Sequence, residues 1–290
     1  MESPDEKREA EGLLVELCKR IDELASLSDR GYFETEAGSS LALDNAAIHP
    51  LSVTAASSAA ILSAIDHLNT VAIVVRAGTM PWVSLFTLLR SVIETSSVAI
   101  YVLQSESRSE RILRVLRGQF AEIKDRVNSQ KNLGEPDVDA EADKDLIRRA
   151  LAGYPDAGSW EEIAGKNGAR SGPDPSITQK ILLASASVPV RDNRPPSAVL
   201  GMWQLFSGIT HARQYAMMTI LDKEELEYDE ETGVVNVHFT TGARSLVGSI
   251  VIAIDVVNAA VQLYGRRSTE FTKVPEDVVL EGILRKQQRQ

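Results

Sequence analysis

The stretch that decides the fold is Pro81-Trp-Val-Ser-Leu-Phe-Thr-Leu-Leu-Arg90-Ser-Val-Ile-Glu94-Thr-Ser-Ser-Val-Ala-Ile-Tyr101-Val-Leu-Gln104. Arg90 and Glu94 are its only charges. Its apolar residues recur every three to four positions instead of alternating, which is the period of a helix. Pro81 suits the first turn, where a backbone N–H has no partner to lose. Arg90 and Glu94 lie four apart, so they share one helical face with Thr87, Ser97 and Tyr101. A helix this apolar needs other helices to cover it.

Reading outward from it, the preceding segment from Pro50 to Gly78 predicts a helix with the seam Ile61, Ile65, Leu68, Ala72 and Val75. Before that, Ser3, Pro4 and Glu6 make a capping box, and Leu14, Leu17, Ile21 and Leu24 form one buried stripe. Residues 29–48 read as a connecting loop. On the other side, 108–130 predicts an amphipathic helix along Ile112, Leu116, Phe120, Ile123 and Val127. The stretch 133–195 is rich in Gly, Pro, Asp and Ser and reads as a loop-rich excursion with short helices near 138–152, 159–165 and 176–187. A long helix then runs from Pro195 to about Leu221. Residues 225–241 change period: Leu226 and Tyr228, then Val235, Val237 and Phe239, flank the turn Asp229-Glu-Glu-Thr-Gly233, which predicts a β-hairpin. A last long helix at 242–265 and a short one from Pro275 complete the chain. The expected fold is all-α: an antiparallel bundle of four to five long helices with one small hairpin near 225–241, forming a single domain over 1–290.

The 290 residues carry a net charge of −10, which disfavours indiscriminate attraction to nucleic acid or anionic lipid. Cys18, the single cysteine, excludes an internal disulfide framework and a cysteine zinc cage. The charged N-terminus lacks the apolar core of a signal peptide. Residues 79–104 and 245–264 are apolar enough to test as membrane spans. The first holds Arg90 and Glu94 and the second Asp255, and such charges cost about 2.5–3.5 kcal/mol each at the centre of a span. On these grounds the chain is expected to be cytoplasmic, with no membrane contact. Two very apolar helices are hard to cover in one chain of this size, so a homo-oligomer is expected.

Chemistry is expected where polar residues interrupt apolar helices. Arg90 and Glu94 are read either as an ion pair fixing helix register or as a pocket wall. In the second case Arg90 binds an anion and Glu94 acts as base or orienting group. Asp66 and His67 interrupt the second helix. His211, in Ser207-Gly-Ile-Thr-His211-Ala-Arg-Gln-Tyr215, has a pKa suited to acid–base work, with Ser207 one turn before it and Tyr215 one turn after. Gly208 inside that helix signals close approach or room for a ligand. The ligand-binding set is therefore Asp66, His67, Arg90, Glu94, Ser207, His211 and Tyr215, and the catalytic set His211, Arg90 and Glu94. Asp255, Asn258 and Gln262 form a further polar stripe on the last helix. No phosphate loop, nucleophile elbow or His-Glu-x-x-His occurs, and no cofactor is expected. A mononuclear metal site from Asp66, His67, Glu94 and His211 is a weak alternative. Arg108, Arg111, Arg114 and Arg117 recur every three residues. Interleaved with Glu106, Glu110, Glu122 and Asp125, they read as a solvated, salt-bridged face rather than a phosphate-binding row.

Asp66-His67-Leu68, Leu88-Leu89-Arg90-Ser-Val-Ile-Glu94 and Ser207-Gly-Ile-Thr-His211-Ala-Arg-Gln-Tyr-Ala216 together resemble a family of uncharacterised bacterial helical proteins, often actinobacterial. More distantly the arrangement is similar to HEPN-type domains, which include RNA-cleaving toxins and defence proteins beside non-catalytic members. HEPN nucleases place an Arg four to six residues before a His on one helix. Here Arg194 is too far from His211 and Arg213 follows it, so the resemblance implies fold and site location more than activity. Three functions stay open: a binding or regulatory module for a small anionic or nucleotide-like ligand, in bacterial stress or phage defence; a hydrolase acting on RNA through His211 and Arg90; and a structural or interaction protein.

Overall fold

The computed structural model describes residues 3–136, 138–164, 174–189, 195, 197–232 and 234–270. Among these, the helices are α1 (Pro4–Ala25), α2 (Ser40–Ile48), α3 (Val53–Arg76), α4 (Ser84–Leu103), α5 (Arg108–Leu133), α6 (Ala140–Gly153), α7 (Trp160–Ala164), α8 (Ile177–Ser185), α9 (Ala198–Thr210), α10 (Gln214–Ile220) and α11 (Ala243–Ser268). The only strands among the described residues are β1 (Asp222–Asp229) and β2 (Val234–Thr240), paired antiparallel from Asp222↔Thr240 to Asp229↔Val234 with a bulge between Glu225 and Glu227. The fold is all-α with one small hairpin. The helix expected from Pro275 lies outside the described residues.

Local signals explain most of these elements. In α1 the Ser3 N–H donates to the Glu6 carboxylate at 2.9 Å, and the Ser3 hydroxyl accepts from the Glu6 N–H at 3.3 Å. The seams read from periodicity are buried at Leu14, Leu17, Ile21 and Leu24 in α1 and at Ile61, Ile65, Leu68 and Ala72 in α3. Two expectations need correction. Residues 29–48 are not all loop: Ser39 caps α2 through the Ala42 N–H at 3.2 Å, and the nine residues of α2 are too few to display a helical period.

The long helix expected over 195–221 breaks into α9 and α10. Ala212 takes a left-handed φ of 52°, its N–H donates to Ile209 O at 2.9 Å, and the Arg213 N–H donates to Gly208 O at 2.7 Å. That pattern is a Schellman ending with alanine where glycine is favoured. Ala212→Gly is therefore expected to raise stability by about 1 kcal/mol, the cost of an L-residue in this conformation, read as a higher urea midpoint at unchanged slope.

The chain divides into two compact units. The first comprises Met1–Tyr32, Ile61–Ser97 and Ile181–Ala259, and its core draws on Ile21, Leu68, Phe86, Leu89, Phe206 and Ile250. The Phe86 and Phe206 rings are 5.5 Å apart. The second comprises Phe33–Ala60, Val98–Lys180 and Ala260–Gln290; in it α5 packs against α2, α6 and α7, over Leu41, Ile112, Leu116, Ile147 and Ile163. Tyr264 is fully buried there and donates its hydroxyl to Phe33 O at 2.7 Å.

The expectation of a cytoplasmic chain is corrected. Among the described residues α3, α4 and α11 are each long and apolar enough to cross a membrane, with mean hydropathies of 1.6, 1.4 and 2.0 over their best windows. Twenty residues of helix span roughly 30 Å, the thickness of a hydrocarbon core. The objection drawn from Arg90 and Glu94 rested on two isolated charges, and these neutralise each other as an ion pair at 2.7 Å. In α3, which the sequence reading had not tested as a span, only 33% of that window is buried.

Candidate functional site

Arg90 and Glu94 meet two residues of α9. Arg90 Nη2 pairs with Glu94 Oε1 at 2.7 Å, Arg90 Nε donates to Ser207 Oγ at 2.8 Å, and Trp203 Nε1 donates to the same Glu94 oxygen at 2.8 Å. The Arg90 guanidinium carbon lies 5.9 Å from the centre of the Trp203 ring. One helical turn away, the Thr87 and Thr210 hydroxyls share a hydrogen bond of 3.1 Å. Going from Thr87 to Arg90 to Glu94 the partners descend from Thr210 to Ser207 to Trp203. The two helices are thus antiparallel and in strict register. Side chains of Arg90 and Glu94 retain 26% and 22% exposure, so the pair is partly desolvated without being sealed. Trp203 is the member that sequence reasoning missed; its spacing of four before Ser207, matching the spacing of Arg90 and Glu94, was the available signal.

The other expected site residues do not join this group by any side-chain hydrogen bond or ion pair among the described residues. Asp66 is exposed on α3 and His67 half-buried beside it. His211 is exposed, ends α9, and spends its N–H on Ser207 O at 3.1 Å. Tyr215 is exposed on α10, its ring lying over Gly208: a Cβ built there would meet Tyr215 Oη at 3.1 Å and Ala216 Cβ at 2.5 Å. Gly208 therefore serves close helix approach. Among the described residues no group of three or more His, Cys, Asp or Glu side chains converges, so the metal alternative for Asp66, His67, Glu94 and His211 has no geometry behind it.

The arginine row of α5 is only in part the salt-bridged face its charge pattern implies: Arg114 Nε pairs with Glu110 at 2.8 Å, but Arg111 turns inward. Arg111 is 3% exposed and forks onto Asp44 of α2, which is fully buried, through Nε to Oδ2 at 2.7 Å and Nη2 to Oδ1 at 2.9 Å. Arg108 Nε stands 3.3 Å from Asp44 Oδ1 without hydrogen-bond geometry. The third arm of Arg111, Nη1, donates to Ser105 O and Glu106 O at 2.9 and 3.0 Å. Arg114 donates to Tyr101 O, and Arg267 of α11 to Leu103 O at 3.3 Å and Ser105 O at 3.2 Å. Three guanidinia thus satisfy the carbonyls left open where α4 ends. Arg267 also pairs with Glu106 at 2.7 Å, and that hydrogen bond holds the Glu106 carboxyl below its ordinary range.

The first unit also carries an open cleft of about 1000 Å³. Lys7, Glu11, Leu14, Val15, Cys18 and Lys19 of α1 line it together with Val75, Arg76, Gly78 and Met80, and Asp222 with Thr240–Ala243 completes the lining. Arg76 ties α3 to α1 by donating to Cys18 O at 3.2 Å and pairing with Asp22 at 2.5 Å. Burial pushes the Cys18 thiol above its ordinary pKa, with Arg76 opposing, so at neutral pH it lines the cleft as a small apolar group.

No family model, curated protein or solved structure matches this chain.

Proposed function

We propose that the chain is a non-catalytic helical binding protein, built as an antiparallel bundle of four to five long helices, that takes a small ligand in the cleft of its first unit. One observation carries this reading: Arg90, Glu94, Ser207 and Trp203 hold one another, while the His211 side chain lies outside their hydrogen bonds. A hydrolase needs an acid–base group and an anion-stabilising group converging on one reacting atom. Arg90 has its charge partner in Glu94 and is spent on locking α4 against α9. The cleft, by contrast, is ligand-sized and lined by cations, acids and aliphatic carbon.

Two measurements test it. Arg90→Gln, Glu94→Gln and the double variant should give a coupling energy of about 1 kcal/mol in a thermodynamic cycle, the worth of a partly desolvated, hydrogen-bonded pair. Single-stranded RNA incubated with the purified protein should stay intact, with wild type and His211→Ala alike. RNA cleavage by the wild type that His211→Ala abolishes would overturn the proposal.

A further inference from the structure

The hairpin has two edges, and only one of them is defended. Its sheet consists of β1 and β2, so among the described residues each strand has one side with no strand beside it. Such an edge is a template for another strand unless charge, proline or a bulge blunts it. β1 has two of these devices. It carries Asp222, Glu224, Glu225, Glu227 and Asp229 against a single Lys223, and it bulges between Glu225 and Glu227. β2, Val234-Val-Asn-Val-His-Phe-Thr240, holds no Lys, Arg, Asp, Glu or Pro, and its seven residues pair in unbroken succession. Val235, Val237 and Phe239 alternate with Asn236 and His238, so the first three share one face of the strand. Val237 and Phe239 are half-buried, and Trp82, itself 40% exposed, stacks on Phe239 with ring centres 6.3 Å apart.

We propose that β2 pairs antiparallel with β2 of a second copy of this chain, about a two-fold axis at Val237, giving one four-stranded sheet in the order β1-β2-β2-β1. Three features select a second copy over a foreign strand. The pattern is symmetric about Val237: Val235 falls opposite Phe239 of the other copy and Asn236 opposite His238, so apolar meets apolar and polar meets polar. The edge is uncharged, so two chains of net charge −10 meet there without opposed carboxylates. The acidic β1 strands move to the outer edges, about 14 Å apart, beyond the ~8 Å screening length at physiological salt. Those outer edges, bulged and acidic, stop further addition, so pairing closes at two copies instead of growing into a filament. An edge-to-edge contact of this length is small, and the dimer is accordingly concentration-dependent.

Light scattering of the full chain tests this. The mass should rise from 31.6 kDa at about 1 µM toward twice that value at about 100 µM. Val237→Lys sets two ammonium groups opposite each other at the axis, while Glu225, its partner on β1, keeps the hairpin paired. Dimerisation should therefore weaken at least about tenfold at an unchanged melting temperature. Val237→Thr, neutral and β-branched, should dimerise like the wild type. Cross-linking reads the arrangement. Val237→Cys puts two thiols opposite each other and should join the copies on oxidation, with buried Cys18 giving the wild type no such product. Glu230→Cys, in the turn, stands about 30 Å from its counterpart and should stay unlinked. A wild type that remains at 31.6 kDa at about 100 µM overturns the inference. So does a dimer that persists in Val237→Lys, or one that cross-links at Glu230→Cys as readily as at Val237→Cys. If Val237→Lys melts lower than the wild type, the two cysteine variants decide alone.

Discussion

Asp44→Ala is expected to lower the unfolding free energy by about 3–5 kcal/mol, the cost of removing one partner from a buried ion pair. The aspartate is fully buried, and the Arg111 guanidinium it holds is 3% exposed, so water cannot replace the lost carboxylate. The loss spreads further, because Arg111 also donates to Ser105 O and Glu106 O where α4 ends. Without Asp44 the guanidinium is drawn toward solvent, Glu106 O loses this donor and Ser105 O keeps only Arg267. Urea denaturation at constant slope measures the effect. The control is Asp44→Leu with Arg111→Met. A buried ion pair replaced by apolar groups of similar size is often near neutral, so the double variant should recover more than half of the loss despite the donor lost at Glu106 O. If Asp44→Ala costs under about 1 kcal/mol, the site is wetter than its burial implies.

That pair also shows where the sequence was readable and where it was not. Arg111 looked like its neighbours Arg108, Arg114 and Arg117, spaced three apart on a charged helix, and nothing local distinguishes the one that points inward. Its partner sits in a segment whose nine-residue helix is too short for periodicity to reveal, so Asp44 read as a loop residue. Only tertiary contact between α2 and α5 decides the matter. The long helices were legible because twenty or more residues average out exceptions, and α1 even announced its first turn through Ser3 and Glu6. The candidate site was half legible. Arg90, Glu94 and Ser207 do come together, and Trp203 completes them. His211 stands apart from them because Ala212 in a left-handed conformation ends α9 just past it. Alanine gives no stop signal, since the glycine usual at that position is absent. The cleft was not legible at all, because its walls come from three separated segments.

Gly208 was legible as an anomaly, and its substitution carries the second large effect. A Cβ at this position would stand 2.5 Å from Ala216 Cβ, closer than two carbon atoms can approach without displacement, and 3.3 Å from the Tyr215 ring. The obstacle is a short side chain fixed to α10, so it cannot swing aside as a long flexible one would. Gly208→Ala gains about 1 kcal/mol of helix propensity and loses more than that to overpacking of the α9–α10 contact, for a net loss of about 1–2 kcal/mol. Gly208→Val adds two further methyl groups to the same gap and should cost about 3 kcal/mol or more. The structural claim is separable from a general intolerance of the helix. Ala216→Gly removes the colliding carbon, so Gly208→Ala combined with Ala216→Gly should recover stability relative to the sum of the single changes, by about 1 kcal/mol in a double-mutant cycle. Additivity of the two would mean that α9 and α10 are not in contact at Gly208. Ser207, the neighbour of Gly208, holds Arg90 at 2.8 Å, so if α9 rather than α10 gives way in Gly208→Val, the coupling between Arg90 and Glu94 should fall as well.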